Sequence, residues 1–241
     1  MQKISVTFFL WFDPQNNRNS KWVYGVEHVN LLVNQVDRHL SLPHEFVLVC
    51  DKLPQGLDSR VRTVPIDPTT YRPTTCFARL MLFRPDIGNI IGNRILAMDL
   101  DSVIVGSLDD IAGRTEEVVL WHHPRYGTNP RVPRYNTSIM LIKAGARPQV
   151  WTEFPSFDLS TLPKGDKSED QGWLSHIIPN EAGFTAKDGV YSARLLEMGF
   201  HGPYNGQLPA NARFITFPGS SREPSLPETQ ANHPWIREHR W

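Results

Sequence analysis

The 241-residue sequence has two cysteines, no excess charge of either sign and no long apolar run. Each shortage excludes something. Cys50 and Cys76 sit in apolar settings and read as reduced thiols rather than as a disulfide framework. Lys plus Arg and Asp plus Glu are both 25, so no bulk positive field draws the chain to nucleic acid. The apolar stretch nearest the start, Phe8 to Phe12 with its neighbours, falls well short of the roughly 20 residues of a membrane span. It lacks the basic leader and small-residue cleavage site of a signal peptide. A cytoplasmic protein with no membrane span and no nucleic-acid partner is therefore expected. Glycine is absent from Asp13 to Ser20, where a nucleotidyltransferase would want a phosphate loop. The 20 prolines punctuate the whole length and form no low-complexity tract.

What is present centres on Arg94 to Val105 (RILAMDLDSVIV). The apolar run Ile95 to Met98 ends in two carboxylates one residue apart, and apolar residues resume at Val103. So short and apolar a run predicts a strand buried on both faces. Nothing apolar compensates a carboxylate, so Asp99 and Asp101 belong at the strand's end, facing solvent or a cation. On extended backbone, side chains at i and i+2 point the same way. Ligands of open α/β sheets bind at the carboxyl ends of strands. This geometry suits a divalent metal carrying a diphosphate.

The remaining elements follow in order. Lys3 to Phe12 is β-branched and aromatic, a first buried strand. Val26, Val29, Val33, Val36 and Leu40 recur at helical spacing, and Pro43 ends the pattern. Glu45 to Cys50 and Val61 to Ile66 are further strands, so a parallel βαβ unit opens the fold. Pro73 to Arg84 is a helix with Arg79 as the one charge on its apolar face. Gly106 to Ile111 predicts a short capped helix. Strands are expected at Val118 to Trp121, Ser138 to Lys143 and Arg213 to Phe217, and helices at Pro148 to Phe154 and Asp170 to Ile178. Pro124 to Pro133 is a basic loop, Phe157 to Lys167 has no periodicity, and Gly219 onward is a Pro-rich tail. His122 and His123 follow a strand and point opposite ways, so they do not share one ion.

In this order the motifs resemble a family. Tyr24-Gly25-Val26-Glu27-His28-Val29-Asn30, Ser41 to Val47, Arg79 to Pro85, Asp99-Leu100-Asp101, Tyr135 to Met140, Asp170-Gln171 and Phe217-Pro218-Gly219 with Arg222-Glu223-Pro224 are similar to segments of the bacterial GT-A glycosyltransferases. The group is the glycogenin-like, galactosyltransferase-type one. The resemblance implies one GT-A domain over 1–241, α/β, with a mixed, mainly parallel central sheet flanked by helices. It divides the chain into a nucleotide-binding half (1–106), an acceptor and sugar half (107–220) and a tail (221–241).

It also implies an activity: transfer of a sugar from a nucleotide-diphosphate donor, UDP-linked, to a sugar, lipid or protein acceptor. Asp99 and Asp101 would hold Mn²⁺ or Mg²⁺ on the diphosphate. Arg79 and Arg222 would supply cations, and Tyr24 and Asp51 would flank the base. Asn136 would meet a sugar hydroxyl, and Asp170 would touch sugar or acceptor as a catalytic group. Tyr24 also reads as an aromatic packed at a helix start, Asn136 as a turn residue and Asp170 as a helix N-cap. The family's third metal ligand, a His near the glycine of the last loop, is missing; Phe217 and Pro218 stand there and cannot ligate. Two alternatives stay open. One is a haloacid-dehalogenase-like phosphatase with Asp99 as nucleophile, suggested by Gly165-Asp166-Lys167-Ser168-Glu169-Asp170. The other is a sugar-nucleotide-binding protein with impaired catalysis.

Overall fold

The computed structural model describes residues 2–11, 24–66, 75–129, 132–161, 170–218 and 223–240. The strands are β1 (Ile4–Leu10), β2 (His44–Cys50), β3 (Val61–Pro65), β4 (Arg94–Met98), β5 (Ser102–Ile104), β6 (Val118–His122), β7 (Tyr135–Lys143), β8 (Ala182–Phe184), β9 (Val190–Ser192) and β10 (Phe214–Thr216). The α-helices are α1 (Val26–His39), α2 (Ile87–Ile90), α3 (Asp109–Ala112), α4 (Gln149–Thr152), α5 (Asp170–Ile177), α6 (Ala193–Glu197), α7 (Pro227–Asn232) and α8 (Ile236–His239).

A large sheet runs β3-β2-β1-β4-β7-β6-β8, and a small one runs β5-β10-β9. In the large sheet β1, β2, β3 and β4 are mutually parallel, as are β6 and β8, while β7 is antiparallel to β4 and β6. The expected mixed, mainly parallel sheet with helices is thus observed. Early and late strands of the chain interleave in both sheets, since β4 pairs with β7 in the large one and β5 with β10 in the small one.

β4 lies in mid-sheet and is buried along its whole length. Leu96 and Met98 enter one core cluster and Ile95 and Ala97 the other. A strand covered on both faces has no polar face, which is why its sequence does not alternate. α1 follows its 3.6-residue pattern and buries Val29, Leu32, Val33 and Val36. Its buried Gln35 accepts a hydrogen bond from the Ile104 amide at 2.8 Å, tying the helix to β5.

Several expectations are corrected. The first strand, expected over Lys3 to Phe12, ends at Leu10. Thr75–Phe83 is a 3-10 helix, not an α-helix. The 148–154 segment splits into α4 and a 3-10 turn at Phe154–Ser156, because Pro155 supplies no amide to extend the helix. Leu159–Thr161 forms a further 3-10 turn in the stretch expected to be a loop. β8, β9 and α6 have no counterpart among the expected elements. Residues 12–23, including the loop after β1, and Gly219 to Arg222 lie outside the described residues.

The tail is not an extension. α7 and α8 fold back, burying Trp235 and Ile236 in a third cluster with Val103, Ile215 and Phe217. His233, fully buried, joins them: its Nε2 donates to Glu197 at 2.9 Å, and its Nδ1 accepts from Tyr204 at 2.5 Å. The Arg38 guanidinium donates to the His239 carbonyl at 2.7 Å. Arg240 and Glu223, both buried, pair at 2.9 Å. Glu223 also lies 3.6 Å from His28 Nε2 on the first turn of α1.

Burial alone would raise the Glu223 carboxyl, but hydrogen bonds and charge from His28 and Arg240 hold it below its ordinary 4.5. A depressed carboxylate contributes stability above its unfolded pKa and loses it as pH falls through the folded one. Glu223→Gln should therefore flatten the drop in unfolding free energy on acidification below about pH 4.5. At pH 7, Glu223→Ala should cost about 3 kcal/mol by leaving Arg240 without this counter-charge. Urea denaturation across pH measures both; a wild-type pH slope in Glu223→Gln would show that the pair contributes nothing.

Candidate active site

Asp99 and Asp101 sit where the two sheets meet. The Asp99 amide donates to the Ser138 carbonyl on β7 at 3.0 Å, extending the β4–β7 ladder. The Asp101 carbonyl accepts from the Phe217 amide at 3.0 Å, just past β10. Leu100 between them is buried in the core. Residues 100 and 101 form a turn rather than extended strand. The two carboxylates still reach one cavity, of about 520 Å³, by way of a turn stitched to two sheets.

Arg79, Asn136 and Asp170 line the same cavity. Arg79 is not a free cation awaiting phosphate. Its Nη1 lies 3.0 Å from Asp99 Oδ1 and 3.6 Å from Asp170 Oδ2, and donates to Thr137 Oγ1 at 2.9 Å. The guanidinium also stands 5.9 Å over the Trp11 ring. Burial works against its charge, but Asp99 and Asp170 outweigh this and hold its pKa well above the ordinary value. Asp170, at the start of α5, is buried; its Oδ1 accepts from Thr137 Oγ1 at 3.2 Å and from the Gln171 amide at 3.0 Å. Asp170 is the first residue of α5, and its bond to the next amide differs from the N-cap bond read from the sequence, which reaches an amide two or three residues on. Asn136 spends its side-chain oxygen on the Ser138 amide at 2.8 Å, the turn role, and still lines the cavity.

Asp101 is partly buried, and its Oδ1 is enclosed with no hydrogen-bond partner among the described residues. Burial, then the neighbouring Asp99 charge, push its proton affinity well above the ordinary carboxylate range, with Arg79 opposing. Behind it, Thr216 is in register with Ser102 on one side and Ser192 on the other. All three are buried, and their hydroxyl oxygens lack partners among the described residues. Buried polar groups without protein partners are normally satisfied by water or an ion. A hydrated divalent cation fits the Asp101 carboxylate, with Ser192 and Asp99, the latter already 3.0 Å from Arg79, lining the same cavity. Only two protein carboxylates would hold it, since no group of three His, Cys, Asp or Glu suited to a metal occurs among the described residues.

Tyr24 packs edge-on against His28, ring centroids 5.2 Å apart. Burial, then Asp101 and Asp99, push its hydroxyl pKa up, so it stays protonated beside the acidic pair. Asp51 is exposed just beyond β2 and does not line the cavity. Arg222 lies outside the described residues. Where the sequence has no metal-binding His, Phe217 is buried in the C-terminal cluster and Pro218 lines the cavity.

His122 and His123 diverge as expected. His122 lies over Gly183, where a Cβ would come within 2.3 Å of its ring. Its Nε2 donates to the Glu181 carbonyl at 3.1 Å. His123 faces the cavity, its ring stacked 6.1 Å from Trp121. Sequence reading does not find Cys76, Thr137, Ser192, Arg125 or Arg194 as cavity residues. Only Arg125 carries a signal, the basic character of its loop.

This architecture is the GT-A fold, the scaffold of nucleotide-sugar glycosyltransferases. Among solved structures, the chain is similar to the galactosyltransferase LgtC in complex with donor and acceptor sugar analogues. The TM-score is 0.62 at 11% identity, covering 98% of this chain and 96% of that one. It is also similar to the glycosyltransferase GlyE of Streptococcus pneumoniae TIGR4, with TM-score 0.65 and 13% identity, covering 98% of this chain and 60% of that one. No protein-family model and no curated protein sequence matches the chain.

The central ion cluster makes its own prediction. Arg79→Met should cost about 3 kcal/mol, because Asp99 and Asp170 lose a shared buried counter-charge. Asp170→Asn in that background should cost at least about 1 kcal/mol less than in the wild type. A double-mutant cycle by urea denaturation reads this; strictly additive losses would mean that the two residues are not coupled.

Proposed function

We propose that the protein is a metal-dependent glycosyltransferase that moves a sugar from a nucleotide-diphosphate donor, UDP-linked, to an acceptor. The observation that carries this reading is the enclosed, partnerless carboxylate oxygen of Asp101 beside Asp99, in a cavity at the carboxyl end of β4. Asp101, its proton affinity raised by burial and by the adjacent Asp99 charge, is in a poor resting arrangement unless a cation joins it.

Asp99 and Asp101 would hold Mn²⁺ or Mg²⁺, with the donor's phosphate oxygens and water completing the oxygen shell. When bound, the ion supplies positive charge where the diphosphate leaves. Arg79 holds Asp99 and Asp170 in place through its ion pairs, a positioning part rather than a direct phosphate contact. Tyr24 and Asp51, neither of which lines the cavity, are assigned to the base end, and Arg222 to the diphosphate. Asn136 retains an amide NH₂ able to donate to a sugar hydroxyl. Asp170 is assigned to the sugar or acceptor, close to the transferring carbon. We assign nucleotide binding mainly to residues 1–106 and sugar and acceptor binding to 107–220, in one domain. The GT-A architecture leaves the phosphatase alternative without its fold. The absence of a third metal-ligating side chain among the described residues favours one second reading, a sugar-nucleotide binder with weak catalysis.

Isothermal titration with UDP in the presence and absence of Mn²⁺ or Mg²⁺ tests the proposal. Metal should tighten UDP binding at least about tenfold, which corresponds to about 1.4 kcal/mol. Asp99→Asn/Asp101→Asn should abolish that gain and leave the fold intact by circular dichroism. Metal-stimulated hydrolysis of UDP-sugars separates an enzyme from a binder, and unchanged UDP and metal affinity in the double variant would end the reading.

A further inference from the structure

The cavity has two electrostatic poles. The first is the acidic one, where the charges that weigh most on Asp101 are Asp99, Arg79 and Glu223. The second is basic and centres on His123, which follows β6 on the loop toward β7. Arg125 on that loop and Arg194 on α6 line the cavity with it. They come from segments nearly 70 positions apart in the chain, so only the fold brings them together. Neither guanidinium has an ion-pair or hydrogen-bond partner among the described residues. That sets them apart from Arg60, Arg79, Arg84, Arg114, Arg147 and Arg240, all of which are paired with carboxylates.

Their closeness shows in His123. Burial first, then the positive charges of Arg125 and Arg194, hold its pKa down at about 4. The imidazole is therefore neutral near pH 7, and the two guanidiniums carry the positive charge of this pole. Two like charges facing one cavity repel each other. A cavity built this way, with no acid at that end among the described residues, is complementary to an anion. Guanidinium forks match carboxylate and phosphate oxygens in two-point geometry.

We propose that the acceptor of this protein carries an anionic group, a carboxylate or a phosphate, bound by Arg125 and Arg194. This rests on the glycosyltransferase reading, because it assigns the acidic pole to the donor's diphosphate and metal and leaves the basic pole to the acceptor. A neutral sugar acceptor would leave both guanidiniums unused.

The test is equilibrium titration of the full chain, saturated with UDP and Mg²⁺, using three probes: methyl glucoside, methyl glucuronide and glucose 6-phosphate. The same titrations are repeated without nucleotide. At least one anionic probe should bind about tenfold or more tightly than methyl glucoside. The preference should shrink as salt rises from about 0.05 to about 0.5 M, as screening of a partly exposed charge pair requires. The carboxylate and phosphate arms identify which anion is taken. Arg125→Gln/Arg194→Gln should lose the preference, whereas Arg125→Lys/Arg194→Lys should keep part of it. UDP–Mg²⁺ affinity should stay within about twofold of wild type in both variants, since neither residue is assigned to the donor. Equal binding of all three probes overturns the proposal. So does loss of UDP–Mg²⁺ affinity in the Gln variant, which would move the pair to the diphosphate. Wild-type protein that fails to bind UDP with metal refutes the donor reading instead, and the nucleotide-free titrations still judge the arginines. Both side chains are at least partly exposed and make no structural ion pair among the described residues, so the variants should melt within a few degrees of wild type.

Discussion

The structure depends on how the chain passes from one sheet to the other between Met98 and Ser102. The Asp99 amide is the last rung of the β4–β7 ladder, and the Asp101 carbonyl is held by the strand end after β10. Leu100 is driven into the core between them. With the backbone pinned on both sides and the apolar residue turned inward, both carboxylates must face the cavity. Two like charges are thus held together by hydrogen bonds and burial remote from them, and the surrounding cations answer that charge.

Arg79 is the permanent answer. It rises from the 3-10 helix Thr75–Phe83, whose Phe77, Leu80, Leu82 and Phe83 are buried against the large sheet. The apolar residues fix the backbone, and the single charge is left to meet Asp99, Asp170 and Thr137. This cation is already engaged with both carboxylates and the threonine hydroxyl, and it fixes that wall of the cavity. The C-terminal segment completes the frame from the opposite side. Glu223 and Arg240 bury an ion pair beside His28, which packs on Tyr24, so the end of the chain braces the start of α1 next to the acidic pair. Beyond this frame the same cavity changes sign at Arg125 and Arg194.

Much of the frame is legible in the residues alone. The order and approximate places of β1, α1, β2, β3 and β4 follow from apolar runs and one clear 3.6-residue stripe. Asp99, Asp101, Arg79, Asn136 and Asp170 stand out by motif and do share one cavity. Asp51 is assigned to the base by the resemblance, and it stands exposed beyond β2, outside that cavity. β8, β9 and α6 escape sequence reading because elements of three to five residues are too short to show a period. The tail reads as loop because its prolines suggest turns, although Pro227 opens α7 at a position where a missing amide costs nothing.

By itself the sequence determined that an apolar strand ends in two acids. A run with no polar face must be buried on both sides, and a carboxylate cannot be buried with nothing to answer it. Which groups answer it was decided only by the tertiary structure: the split of β4 and β5 between two sheets, and the meeting of Arg79 with Asp99, Asp170 and Thr137. These are contacts between positions far apart in the chain. Their geometry is set by strand register and loop closure, and neither leaves a local pattern in the residues that make them.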